Sequence, residues 1–243
     1  MAFDGPVPDG PAFAGPVWAI VVAAGTGSRF GRTKQFELLA GRPVAAWAVE
    51  AARAVVDGVV LVLPPGRVAA EAAGGEAPAA PAGFGADVVV GGGDSRSASV
   101  RAGLASVPDE AAVVVVHDAA RPLASPALFR AVLDGLGDDD DPADGAVCAV
   151  PVADTLKRLT VDGTMVAGTV DRSGLVAVQT PQAFRAGALR RAHRTAADAT
   201  DDAGLVEAAG GVVRVVPGDP RNLKLTTLAD LDYAAHLLVE EVP

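Results

Sequence analysis

The sequence predicts one α/β domain built on an open, mostly parallel sheet with helices on both faces and an extended β-hairpin arm. Short β-branched runs recur at residues 17–22, 58–63, 87–90, 113–116, 145–150 and 212–216, most of them bounded by turn residues, as buried strands are. Helical stretches alternate with them at 44–55, 97–107, 126–136 and after Thr227. Of the 243 residues, 50% are apolar and 4% aromatic, which suits Val-rich strands between Ala-rich helices. This alternation makes the sheet Rossmann-like and places ligands beyond the carboxyl ends of its strands.

Each element carries its own signal. The 44–55 stretch is Ala-rich. The 97–107 stretch follows Asp94-Ser95, a polar pair suited to capping a helix. The 126–136 stretch has Pro126 in its first turn. At the end of the chain Leu228, Leu231, Ala235 and Leu238 share one helical face behind Thr227. Residues 155–161 and 165–170 read as two strands around Asp162-Gly163, a strong hairpin signal. A hairpin that interrupts an α/β pattern must pack on something, and a second subunit is a natural partner. Residues 1–16 are rich in Gly and Pro and read as a flexible tail, leaving 17–243 as the domain. Residues 64–85 read as a surface excursion. Asp138 to Asp141 read as a solvated loop, since four successive side chains seldom converge on a metal.

The formal net charge of −10, with no basic face in view, argues against nucleic acid and anionic membranes as partners. A local basic cluster still suits a polyphosphate. No apolar run reaches the ~20 residues of a membrane helix, and the start of the chain lacks the features of a signal peptide. Cys148 is the single cysteine, so no intrachain disulfide forms and a reducing, cytoplasmic location is expected. Its apolar neighbours mark it as a buried small hydrophobe.

Four strings carry chemistry. Ala23-Ala24-Gly25-Thr26-Gly27-Ser28-Arg29-Phe30-Gly31 directly follows the first strand. Its glycines permit a tight turn whose backbone N–H groups cradle phosphate. Phe30 breaks the dinucleotide fingerprint, and no Gly-Lys-Ser/Thr closes a P-loop. Arg29 and Lys34 then stand as two cations beside the cradle, suited to nucleotidyl transfer, where charge builds on phosphorus oxygens. For the loop alone, an ordinary strand–helix turn serves equally. In Gly91-Gly92-Gly93-Asp94-Ser95-Arg96-Ser97-Ala98-Ser99-Val100, Gly93 permits close approach, while Asp94 and Ser99 supply hydrogen-bonding groups; helix capping accounts for Asp94 or Ser95 as well. In His117-Asp118-Ala119-Ala120-Arg121-Pro122 the carboxylate suits Mg²⁺ or a ligand hydroxyl and Arg121 suits a phosphate, while His117 reads as structural. Asn222-Leu223-Lys224-Leu225-Thr226 precedes the final helix, and Thr200-Asp201-Asp202 reads as a helix start.

Together with Lys34-Gln35-Phe36, these strings resemble the 2-C-methyl-D-erythritol 4-phosphate cytidylyltransferase family of sugar-phosphate nucleotidyltransferases, over roughly residues 19–238. Val22 and Thr33 stand where members usually carry Pro. The resemblance implies transfer of CMP from CTP to 2-C-methyl-D-erythritol 4-phosphate, with release of pyrophosphate, in the non-mevalonate route to isoprenoid precursors. It implies Arg29 and Lys34 as catalytic residues, and Ala23, Ala24, Gly25 and Gly27 around the triphosphate. Gly93, Asp94 and Ser99 would meet the cytosine. Asp118, Arg121, Thr155, Arg172 and Lys224 would bind the acceptor. The hairpin, residues 154–172, would be the arm of a homodimer, with Thr155 and Arg172 reaching the neighbouring subunit's site. Mg²⁺ would be held mainly by CTP phosphates, with Asp118 as a further ligand, and the acceptor's hydroxyl would attack the α-phosphorus in line. Arg172 beside Asp171 reads equally as a surface ion pair. A ribitol-phosphate or other polyol-phosphate cytidylyltransferase shares nearly every string, and a non-catalytic nucleotide-binding module is the alternative of another class.

Overall fold

Valine dominates the strands at the centre of the sheet because they are covered on both faces. In the computed structural model, β1 (Val17–Val22) lies parallel between two neighbours, with Trp18 opposite Gly58 on one side and Val114 on the other. Those neighbours, Gly58–Leu63 and Val113–Asp118, bury every residue. The structure describes residues 13–25, 34–72, 82–138, 140–195 and 198–239.

After β1 come β2 (Leu38–Leu39) and β3 (Arg42–Pro43), a short antiparallel pair, then α1 (Val44–Arg53) and β4 (Gly58–Leu63). Next are α2 (Pro65–Ala72), β5 (Val88–Gly91), α3 (Arg96–Leu104), β6 (Val113–Asp118), α4 (Pro126–Asp134) and β7 (Gly145–Pro151). The hairpin is β8 (Lys157–Leu159) and β9 (Val166–Thr169). The chain closes with β10 (Val176–Arg185), α5 (Ala186–Ala192), α6 (Asp202–Ala208), β11 (Val213–Pro217) and α7 (Leu228–Val239).

The main sheet has seven strands in the order β11-β7-β10-β6-β1-β4-β5. All its pairings are parallel except those of β10, which runs antiparallel to both β6 and β7. One face packs on α1 and α4, through Ala48, Val49, Phe129 and Val132 among others. The other packs on α3, α5 and α6, through Val100, Leu104, Leu189 and Val206. The α/β class, the mostly parallel sheet and the helices on both faces are therefore as the sequence predicts. A third cluster seats α7, with Leu225, Leu39 and Val44 at its centre.

Local chemistry accounts for the boundaries. Ser95 caps α3 by accepting from the Ala98 N–H at 3.1 Å, and Ser125 caps α4 at 3.3 Å. At α7, Thr227 Oγ1 accepts from Asp230 N–H, while the Asp230 carboxylate accepts from Thr226 and Thr227 N–H, a reciprocal cap. Asp162-Gly163 forms the hairpin turn, with Gly163 at φ +70°, although the paired strands are shorter than the alternation suggests. Two segments differ from expectation. The supposed excursion at 64–85 contains α2, and Val68 and Phe84 pack against the core. The stretch from Val176 to Arg185, unassigned in the sequence because Gln179-Thr180-Pro181-Gln182 interrupts it, is an inner strand of the sheet. The register between β10 and β7 shifts between Val178 and Gln182, which accommodates Pro181. Among the described residues no helix is long and apolar enough to cross a membrane. Cys148 is buried, its thiol donating to Pro181 O, and burial pushes it up to about 11, an inert state.

Phe129 is fully buried between α4 and the sheet. Phe129→Ala should lower the unfolding free energy by about 3–5 kcal/mol with an unchanged denaturant slope. A loss under about 1 kcal/mol in urea titration contradicts this packing.

Candidate active site

The carboxyl ends of β1, β4, β5 and β6 share one edge of the sheet, and backbone bonds carry the strand order past those ends. Ala23 N–H donates to Val62 O, Gly92 N–H to Leu63 O and Ala119 N–H to Val22 O. The chain direction of the crossovers reverses at β1, the position where open α/β sheets bind ligands.

Ala23, Ala24 and Gly25 leave the end of β1. Their path is fixed by Gln35, which is buried and donates from Nε2 to Ala23 O at 2.7 Å and Gly25 O at 2.9 Å. This explains the Lys-Gln-Phe string: Gln35 staples the loop, and Phe36 packs against the core beside Phe84 while Arg67 lies over its ring at 3.9 Å. Lys34 begins the single helical turn that presents Gln35, though its side chain lies outside the described part of the structure. Gly27 and Arg29 also lie outside the described residues.

The β5–α3 junction packs directly on this loop. A Cβ at Gly92 would come within 2.4 Å of the Ala24 Cβ and 2.7 Å of Ser99 Oγ, so only glycine permits the approach. Ser99, buried, accepts from Gly93 N–H at 3.2 Å and donates to Ser95 O at 2.9 Å, which shapes the loop from inside. Gly93 and Asp94 are exposed at its tip.

Asp118 ends β6. Its backbone N–H donates to Thr180 Oγ1 of β10 at 3.0 Å, and its carboxylate lies between two cations. Lys224 Nζ is 2.7 Å from one oxygen, and Arg96 Nε is 3.3 Å from the other. Burial pushes the Asp118 carboxyl up, but Arg96 and Lys224 outweigh it and hold the group well below the usual carboxylate range. Lys224 is presented by simple alternation: Leu223 and Leu225 turn into the cluster under α7, and the lysine between them turns the other way. Asn222 anchors that segment, fully buried, by donating to Thr180 O at 2.9 Å. Arg121 donates from Nη1 to Asn222 O at 2.7 Å and so braces the segment that carries Lys224.

Sequence reasoning missed Arg96, Asp202 and His193. The other side of Arg96 meets Asp202, Nη1 to Oδ2 at 2.7 Å, and Asp202 Oδ1 meets His193 Nε2 at 2.9 Å. Each carries a bland local signal, a helix start for the first two, and only their spatial convergence reveals them. Asp201 does cap α6 as expected, accepting from Gly204 N–H at 3.1 Å. Thr155 and Arg172 are not brought to Asp118 within the chain. Both are exposed, and Arg172 donates to Val152 O and Ala153 O at the base of its own hairpin. The expected metal role of Asp118 meets a plain difficulty. Both its oxygens are engaged by cations, and among the described residues no group of three or more His, Cys, Asp or Glu is placed to hold an ion. The described residues thus form no protein cage for Mg²⁺.

A glycine-shaped floor at the switch point of an α/β sheet, closed by a carboxylate with paired cations, defines a strand-end site of the kind built for phosphate-bearing ligands. Comparison narrows the class. The family model for IspD, 2-C-methyl-D-erythritol 4-phosphate cytidylyltransferase, matches residues 17–240, and the chain belongs to that family. The bifunctional enzyme IspD/IspF of Nitratidesulfovibrio vulgaris is 46% identical over 227 residues, 88% of this chain and 56% of that protein. The chain thus spans about half the length of such bifunctional relatives. The 2-C-methyl-D-erythritol 4-phosphate cytidylyltransferase of Rhodococcus jostii is 46% identical over 233 residues, 93% of this chain and 96% of that protein. The crystal structure of 4-diphosphocytidyl-2C-methyl-D-erythritol synthase from Anaerococcus prevotii superposes with a TM-score of 0.74 at 25% identity, over 93% of this chain and 99% of that one.

His117, behind Asp118, is structural, as the sequence suggests. Its Nε2 faces Arg121 O at 3.2 Å, an acceptor only, so the proton sits on Nε2 and Nδ1 accepts from Thr180 Oγ1 at 3.0 Å. Burial, only partly opposed by Asp118, pushes the imidazole down from 6.5 to about 4. Between those values the unfolded chain binds a proton here that the folded chain does not. Stability therefore falls as pH drops through this window, by up to about 3 kcal/mol from this group. The contribution of Asp118 is lost separately, only as pH falls below its ordinary value of 3.8. His117→Gln should flatten the wild-type decline in melting temperature between pH 6.5 and 4; an unchanged slope rejects a neutral buried imidazole.

Proposed function

We propose that the chain transfers CMP from CTP to 2-C-methyl-D-erythritol 4-phosphate and releases pyrophosphate, a step toward isoprenoid precursors. The observation that carries this reading is the meeting of residues from four predicted strings, Ala23–Gly25, Gly92–Ser99, Asp118 and Lys224, at one edge of the sheet. The name of the Anaerococcus relative contains a diphosphate bridge to the cytidyl group. The attacking atom is then an oxygen of the acceptor's phosphate, in place of the hydroxyl expected from the sequence. That oxygen bonds to the α-phosphorus as the bond to the β-phosphate's bridging oxygen breaks, and pyrophosphate departs in line. No proton abstraction is needed, which fits a site without a histidine base.

In this reading the backbone of Ala23, Ala24, Gly25 and Gly27 holds the triphosphate, and Arg29 and Lys34 counter charge growing at the α-phosphate and leaving group. Gly93, Asp94 and Ser99 take the cytosine. Lys224 and Arg121 receive the acceptor phosphate and Asp118 its hydroxyls, and Arg121 also braces the Lys224 segment through Asn222 O. A divalent cation such as Mg²⁺ would be held mainly by the triphosphate's own oxygens, with Asp118 as the further ligand the resemblance implies, and would supply neutralisation of their charge. Thr155 and Arg172 serve the site of a second subunit. The hairpin's uncovered apolar residues support such a homodimer: Leu159, Met165 and Val166 are more than half exposed and Val161 fully so. The cytoplasm, a reducing compartment, fits a chain whose single cysteine is buried.

A pyrophosphate-release assay with CTP should give turnover on 2-C-methyl-D-erythritol 4-phosphate far above that on ribitol 5-phosphate; no release with either overturns the reading. Lys34→Ala should cost about 100-fold or more in kcat with folding intact, and wild-type turnover would remove Lys34 from its role. Light scattering should give a dimer that Val161→Asp with Met165→Asp converts to a monomer; a wild-type monomer removes the shared site.

A further inference from the structure

Arg96 occupies a place that neither the strings nor the proposed chemistry accounts for. It is the first residue of α3, just behind the loop assigned to the nucleotide, yet its side chain runs to Asp118 on the acceptor side. Its guanidinium is shared: Nε faces Asp118 and Nη1 faces Asp202, itself the first residue of α6 and without solvent exposure. Asp202 is held in turn by His193, whose side chain is buried against it. Charges therefore alternate along one line, Lys224, Asp118, Arg96, Asp202, with His193 closing the end. Burial alone would weaken the Arg96 cation, but the two carboxylates raise it above the ordinary guanidinium value. The same turn is tethered twice more, Ser95 Oγ to Asp198 Oδ1 at 2.5 Å and Ala199 N–H to Ser97 Oγ at 3.2 Å.

This geometry has a mechanical consequence. A guanidinium facing a single carboxylate settles into a two-oxygen pair with it. Here Asp202 anchors the guanidinium through Nη1, so Nε meets one oxygen of Asp118, Lys224 meets the second, and Nη2 is buried without a hydrogen-bond partner. Without Asp202 the guanidinium loses its Nη1 anchor and is free to turn its unpartnered Nη2 toward Asp118, in competition with Lys224.

We propose that Arg96, held by Asp202 and His193, is a positioning residue that sets the Asp118–Lys224 pair for the acceptor and keeps it in register with the nucleotide loop. This rests on the assignment of Asp118 and Lys224 to the acceptor given above. Arg96, Asp202 and His193 act through Asp118 and touch no substrate. Lysine at 96 is no substitute, since a single ammonium lacks the fork that spans two carboxylates.

The test is a double-mutant cycle with CTP and 2-C-methyl-D-erythritol 4-phosphate, read by pyrophosphate release, with melting temperature as the folding control. Asp202→Asn should lower kcat/KM for the acceptor about tenfold or more and leave the KM for CTP within about threefold. Asp118→Asn should be more damaging, and the double variant no worse than Asp118→Asn alone within about twofold, because the first change acts through the second residue. Wild-type acceptor kinetics in Asp202→Asn, or losses that add, overturn the positioning role while leaving the site assignment standing. A neutral Asp118→Asn overturns the assignment itself and the inference with it. If Asp202→Asn does not fold, Arg96→Lys takes its place in the same cycle; acceptor kinetics unchanged in Arg96→Lys also overturn the proposal, since charge without the fork would then suffice.

Discussion

A carboxylate buried at the end of an inner strand is the constraint around which this edge of the molecule is organised. Asp118 is removed from water, and an isolated anion there would be strongly disfavoured. Its tolerance depends on cations delivered from two distant parts of the chain, Arg96 from the start of α3 and Lys224 from the segment before α7. Each cation is itself braced, Arg96 by Asp202 and the lysine's segment by Asn222 and Arg121. Electrostatic need thus locks four separate stretches of sequence into one geometry before any ligand arrives.

The inner strand β10 makes this possible. Its polar middle would be a defect in an ordinary parallel sheet, where strands are apolar throughout. Here Thr180 receives the Asp118 N–H and engages His117, Gln179 donates to Asp219 O, and Gln182 donates to Asp201 Oδ2. Each polar group fastens a loop on the site side of the sheet. Running this strand antiparallel brings that polar segment to the edge where the parallel strands end, so one element closes the sheet and furnishes the anchors of the site.

How legible all this was depends on what kind of signal each residue sends. The parallel strands read clearly because burial on both faces leaves unbroken valine, and the hairpin read clearly because Asp-Gly permits little else. The β10 strand did not, because its stabilising partners are remote: Thr180 and Asn222 lie 42 residues apart. The short helices α5 and α6 were likewise too brief to show a period. Within the site, the glycine loops and the carboxylate at the strand end were legible as local strings. The direction of a side chain was not. The string around Arg121 did not reveal that its Nη1 also reaches a carbonyl of the Asn222 segment, 101 residues further along the chain. Arg96 and Asp202 looked like helix starts, and they are, but a helix start also fixes where a long side chain emerges.

Gln35 offers a last lesson in atomic economy. Both of its contacts are carbonyl oxygens, so the terminal nitrogen must be the atom that faces them. Exchanging that nitrogen for oxygen, as hydrolysis of the amide would, sets an anion against two lone-pair-bearing groups. The carbonyls of Ala23 and Gly25 would then repel the side chain that holds them, and the chain leaving β1 would lose its staple. The path of the chain as it leaves β1 is written in the identity of one terminal atom.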